Sequence, residues 1–203
     1  FLTTLDPVER IIYDKNDGNP LAQRDVLEEN IKHLVSQWAG TSGDTNPNSI
    51  AMQMAVREEF KVPEVYIPGQ IGSGSASQIS AYQQAQDIYA KQGKGLRAFA
   101  RAEYEETQQY LKDKDIKELF LYRGVGESGL KGISEEDQKH GGHDIDVKMQ
   151  PISSFSLSSV TAGMFGENIL VGIVPREKIF STPRTGIGCT NEGEVVVLGG
   201  KTR

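Results

Sequence analysis

Apolar positions along this chain change their spacing partway. In the first part they recur at helical intervals, and in the last part they gather into short unbroken or alternating runs. Leu5 to Tyr13 reads as a short lead-in and Asp17-Gly18-Asn19-Pro20 as a turn. Leu27, Ile31, Leu34, Val35 and Trp38 predict an amphipathic helix from Asp25 to Ala39 that ends near Gly40, with Trp38 as a core anchor. Past a polar loop, Ser49 is the expected cap of a helix running to Phe60, with Met52 and Met54 as core filler. Val62 to Ser77, rich in Pro and Gly, is expected as a flexible connection. Its Gly-x-Gly lacks the Lys-Ser/Thr of a phosphate-binding loop. Two further helices are predicted, Ser77 to Gln92 and Leu96 to Lys112, parted by Gly93-Lys94-Gly95.

The later runs read as strands: Glu118 to Arg123, Ile152 to Leu157, Asn168 to Val174, Lys178 to Ser181 and Glu194 to Leu198. Helices first and strands second predicts an α+β fold. The expected layout is a helical region, residues 1–115, packed on a β-rich catalytic core, residues 116–203, together forming one compact catalytic domain.

Candidate chemistry concentrates where the last strand begins. Glu192 and Glu194 stand one residue apart at the mouth of the run Val195-Val196-Val197-Leu198, which Gly199-Gly200 stops. On a strand, residues i and i+2 share a face, where like charges raise each other's proton affinity and one carboxylate can be tuned for acid/base work. Taken alone, such a pair is more often a solvated strand mouth than a site. Upstream, Arg123 closes an apolar run and Gly124 follows it. An arginine there offers a planar fork for phosphate oxygens, and the glycine lets backbone approach a ligand. Between these lies Ser153-Ser154-Phe155-Ser156, an alternating strand with hydroxyls on one face, followed by Ala162 and Phe165.

The order Arg123, Ser154-x-Ser156, Glu192-x-Glu194 resembles the arginine-serine-glutamate class of mono-ADP-ribosyltransferases, which includes binary-toxin-type enzymes and phage and bacterial effectors. The resemblance implies a core that holds NAD in a cleft between two small sheets. In it, Arg123 with Gly124 binds the NAD diphosphate, Ser154 braces the catalytic Glu194, and Ser156 is the third member of the serine strand. Phe155 replaces the family's usual threonine, and its side chain should face away from Ser154. Ala162 and Phe165 fall where the family places an alanine and an aromatic on the nicotinamide side, whereas Asn168 stands where some members carry a cofactor-touching arginine. Tyr82 and Tyr104 are candidates for the adenosine side, although each reads more simply as core. Glu192 corresponds to the residue associated with arginine as acceptor, and the loop from Phe180 to Cys189 to the one that recognises the target. The implied reaction moves ADP-ribose from NAD to a protein arginine and releases nicotinamide. An NAD glycohydrolase and a non-catalytic interaction domain with the same fold are the alternatives.

Composition adds little against this. The net charge is −6, the isoelectric point is near 5.2 and no basic run appears, so no nucleic-acid partner is expected. No apolar stretch is long enough to span a membrane, and no internal repeat appears. The single cysteine, Cys189, leaves the redox compartment open and reads as a free loop thiol. His140 and His143 near Asp144 invite a metal reading but lack a third ligand, so no metal is expected. Arg184 reads equally as target contact or solvated surface. The expected partners are NAD and a target protein, the expected state is a monomer, and a start at Phe1 suggests a trimmed or processed chain. Secretion or delivery into a target cell, or phage encoding with action in the host cytoplasm, are the expected settings.

Overall fold

The computed structural model describes residues 45–62, 67–70, 74–126 and 149–200. The expected helix at 25–39 with Trp38, the lead-in and turn before it, and the His140 and His143 loop all lie outside these residues. The chain divides into two compact units, residues 1–61 with 67–105 and residues 62–66 with 106–203.

In the first unit, helix α1 spans Pro47–Glu59. Its cap is Asn46 and not the expected Ser49, because the Asn46 side chain accepts hydrogen bonds from the Asn48 and Ser49 backbone N–H groups and Pro47 supplies a pre-set first turn. Ser49 is itself buried, and Met52 and Met54 do sit in the core. Part of the expected flexible connection is an ordered turn: Gln70 N–H donates to the Ile67 carbonyl across Pro68-Gly69, with Ile67 buried.

The two helices expected on either side of Gly93 are one, α2, Ala76–Asp113. A glycine inside a helix costs about 1 kcal/mol against alanine, too little to break a long helix without a proline. The Tyr89 ring lies against buried Gly93 and bonds Glu58 of α1 through its hydroxyl, where Arg97 meets both partners. Ser75 and Gln78 cap the start reciprocally: the Ser75 hydroxyl accepts from Gln78 N–H while the Gln78 side-chain oxygen accepts from Ser75 N–H. At the far end, Asp115 at φ 53° lets Asp115 N–H reach the Lys112 carbonyl and Ile116 N–H the Leu111 carbonyl, a Schellman closure that aims the chain into the sheet.

The second unit holds a five-stranded antiparallel sheet in the order β3-β1-β2-β5-β4: β1 Glu118–Val125, β2 Ile152–Ser156, β3 Asn168–Pro175, β4 Ile179–Ser181 and β5 Glu194–Leu198. These spans match the expected runs to within a residue or two at each end. A short helix α3, Ser159–Gly163, follows β2. Where the resemblance implied two small sheets, the described residues form one. It is joined unevenly, however. β1 and β3 pair without a break from Glu118 opposite Pro175 to Val125 opposite Asn168, and β2 and β5 from Ile152 opposite Leu198 to Ser156 opposite Glu194. Between β1 and β2 the register is one pair, Tyr122 opposite Ser156.

One face of the sheet carries a core cluster. Leu121, Val174, Ile179, Val195 and Val197 close over Leu111 from the last turns of α2, and Phe155 packs against them. Alternation along β2 sends Phe155 to this face and Ser154 and Ser156 to the other, as expected. Gln108 of α2 fastens the edge by donating to the Arg176 and Ile179 carbonyls on either side of the 3-10 turn Arg176–Lys178.

Candidate active site

Glu194 is the first residue of β5 and is 5 % exposed. The residue before it explains why Glu192 does not share its strand. Gly193 adopts the left-handed conformation at φ 54°, closing a 3-10 turn over Thr190–Glu192. The expectation that both carboxylates stand on one strand face is therefore corrected. Glu194 leaves the strand, whereas half-buried Glu192 leaves the turn that precedes it.

Cys189 clasps this turn from below. Its carbonyl accepts from both Glu192 N–H and Glu194 N–H, and its own N–H donates to Glu194 Oε2 at 2.7 Å. By residue type Cys189 offers a free loop thiol, yet the clasp is made by backbone, which any residue type supplies. No signal of residue type could have pointed to it. The thiol itself is free.

Ser156 completes the turn from β2. Paired opposite Glu194, it donates from its hydroxyl to the Glu192 carbonyl at 2.8 Å and accepts from Ser158 N–H at 3.0 Å. Ser158 in turn caps α3 by accepting from Thr161 N–H. One buried hydroxyl thus links the carboxylate turn to the helix that carries Ala162 and Phe165. The resemblance gave the bracing role to Ser154, which stands one step along the same face, opposite Val196.

Tyr122, Ser156 and Glu194 form one row across three strands. Arg123, next to Tyr122, leaves β1 on the opposite face, where its guanidinium carbon lies 5.6 Å from the centre of the Phe155 ring, within range of a cation–π attraction. Arg123 and Glu194 are thus separated by the thickness of the sheet, next to the single pair that joins β1 to β2. Gly124 lies where α3 crosses β1. A Cβ there would meet the Ala162 carbonyl oxygen at 1.8 Å, so the glycine permits the helix to rest on the strand. Ala162 is buried beneath this contact, and Phe165 just past it is 59 % exposed with its ring available to a ligand. Asn168 begins β3 opposite Val125. Of the adenosine-side candidates, Tyr104 packs edge-on against Phe60 and Tyr82 lies against Gly69, both within the first unit.

No group of three or more metal-type ligands occurs among the described residues, and none of their helices is long and apolar enough to cross a membrane. A buried carboxylate held by a backbone N–H, beside a second and more open carboxylate, suits a reaction in which positive charge develops on a sugar and a basic acceptor is drawn in. Comparison with curated proteins and with solved structures gives no match. The family model for dinitrogenase reductase ADP-ribosyltransferase (DRAT) matches residues 13–203, nearly the whole chain and every element of this site, and the protein belongs to that family.

Proposed function

We propose that this ADP-ribosyltransferase moves ADP-ribose from NAD to a protein arginine, with Glu194 as the group that stabilises the sugar cation and Glu192 as the group that prepares the acceptor. The observation that carries the reading is the clasp on Glu194: a buried carboxylate fixed at 2.7 Å by Cys189 N–H, two residues past a half-buried one. Nicotinamide is already a cationic leaving group in NAD and departs neutral, so its departure needs little acid help. The ribose left behind gains positive charge, and a carboxylate already fixed in place lowers that barrier without reorganising. A guanidinium stays protonated in water, so the acceptor needs a second carboxylate to orient it and take a proton as the new C–N bond forms. Glu192, on the more open turn, suits that part.

The remaining assignments rest on the resemblance and on placement. Arg123 and the backbone at Gly124 hold the diphosphate, Phe165 packs on the nicotinamide side, and Ser154 and Ser156 flank Glu194. Arg123 and Glu194 leave the sheet on opposite faces, so the diphosphate assignment rests on the resemblance alone. The protein in the family's name, dinitrogenase reductase, is the first acceptor to try. A toxin, effector or phage setting draws no support from the family assignment.

The reading is tested with labelled NAD, an acceptor protein and two variants. Glu194→Gln is expected to lose both transfer and NAD hydrolysis. Glu192→Gln is expected to keep hydrolysis and lose transfer. Equal behaviour of the two variants would remove the division of labour.

A further inference from the structure

The loop between β4 and the carboxylate turn is fixed by three threonine hydroxyls. Thr107 of α2 is 0 % exposed, and its Oγ1 lies 2.7 Å from Thr185 Oγ1. Thr185 Oγ1 also accepts from Thr182 N–H at 3.1 Å and lies 3.0 Å from Thr182 Oγ1, which accepts from Arg184 N–H. A hydroxyl has one proton and two acceptor sites, and these three neighbours satisfy the one at Thr185 in full. The Thr182 carbonyl takes the N–H groups of both Thr185 and Gly186. The loop then folds back on itself. A Cβ on Gly188 would meet the Glu194 carbonyl oxygen at 2.5 Å and the Thr182 carbonyl carbon at 2.9 Å, so loop base, loop end and β5 are in direct backbone contact. The next residue is Cys189, whose N–H holds the Glu194 carboxylate.

We infer that Thr107 is a positioning residue for the reaction: from the helix, through Thr185 and the loop, it fixes the Cys189 N–H that orients Glu194. The inference rests on Glu194 being the catalytic carboxylate. Nothing in the sequence around Thr107 suggests this, since a lone threonine in a helix is ordinarily neutral or mildly unfavourable. Its neighbour Gln108 reaches the same segment at the Arg176 and Ile179 carbonyls. Two adjacent α2 residues therefore anchor β4 and the loop beyond it, and only Thr107 reaches the part that leads to the carboxylate.

The test uses Thr107→Val, which keeps the shape and removes the hydroxyl, Thr107→Ser, which restores it, and Thr185→Val. In the whole protein, Thr107→Val is expected to lower kcat for nicotinamide release about tenfold, on the scale of one buried hydroxyl hydrogen bond, with KM for NAD unchanged. Thr107→Ser is expected to recover most of the loss. Thr107→Val and Thr185→Val together are expected to cost little more than Thr185→Val alone, because losing the Thr185 hydroxyl already breaks its bond to Thr107. Amide exchange at Thr185, Gly186 and Cys189 should quicken in Thr107→Val while the β1–β3 ladder keeps its protection, which separates local release from general destabilisation. Unchanged exchange in the loop, strictly additive losses, or no rescue by serine would overturn the assignment. Should the unaltered protein release no nicotinamide at all, the functional reading falls by itself, and quickened loop exchange would leave only the mechanical part of this inference standing.

Discussion

The two ladders of the sheet differ in what surrounds them. Along β5 every residue from Glu194 to Leu198 is buried, and its partner β2 is buried at Ile152, Ser153 and Ser156. Along β3 burial alternates, and the outward positions are apolar: Ile169, Val171 and Ile173, across from Gly124, Tyr122 and Phe120 of β1. The first ladder has the traits of a place that fixes an atom. Its carboxylate is enclosed, hydrogen-bonded by a backbone N–H and backed by an unbroken register. The second keeps one side open, and it carries Arg123 on its covered face and the α3 contact at Gly124. A transferase needs both kinds of surface, one that holds the reacting group still and one that a dinucleotide and a protein can reach. They meet at the single Tyr122–Ser156 pair.

The contrast can be broken at several points. The largest effect is expected at the carboxylate proposed as catalytic on the buried ladder, where Glu194→Gln should lower kcat by at least about a hundredfold to a thousandfold, the range for a fixed electrostatic partner, with little change in melting temperature. Next comes packing on the two sides of β1. Leu121→Ala, at 0 % exposure in the core face, should cost about 2–5 kcal/mol in denaturant unfolding, whereas Ile173→Ala, 55 % exposed on the open face, should stay within about 0.5 kcal/mol. Comparable costs would mean the open face is covered. Gly124→Ala should cost about 1–3 kcal/mol, because the new methyl meets a backbone carbonyl of α3 that cannot swing away. Under the diphosphate assignment it should also raise KM for NAD more than it lowers kcat.

The smallest effect lies in the first unit. Burial pushes the Tyr89 hydroxyl above its ordinary pKa of 10.0, and the hydrogen bond to Glu58 pushes the same way, against a smaller opposite pull from Arg97. A raised value in the folded state means the protonated phenol is favoured there. Its contribution to stability is therefore complete below about pH 10, the unfolded value, and is lost as pH rises through the folded value. Unfolding followed from pH 9 upward should show this loss in the parent protein and a flatter curve in Tyr89→Phe.

The strands and Glu194 were legible in the sequence because short apolar runs between turn residues leave few other options. Features set by single dihedrals or by distant partners were not. Gly193 looked like any glycine between two glutamates, and only its left-handed φ takes Glu192 off the strand. Gly93 and Gly95 resembled a helix break, but two glycines without a proline are tolerated in a long helix whose Tyr89 and Arg97, on either side of them, both bond Glu58. Asn46 outcompeted Ser49 as a cap because Pro47 fixes the first turn. The placement of Arg123 across the sheet from Glu194 required the register, which spacing along one chain does not contain. Thr107 and the Cys189 backbone were invisible for the same reason, since their partners lie far along the chain or are carried by the main chain.

The most direct measurement incubates the purified protein with labelled NAD and dinitrogenase reductase, and with a mixed lysate, beside Glu194→Gln and Glu192→Gln. The account predicts label on discrete protein bands, absent in both variants and released by neutral hydroxylamine as arginine linkages are, with nicotinamide release retained only in Glu192→Gln. Label that persists in Glu194→Gln, or nicotinamide release from the unaltered protein without any labelled protein, would contradict it.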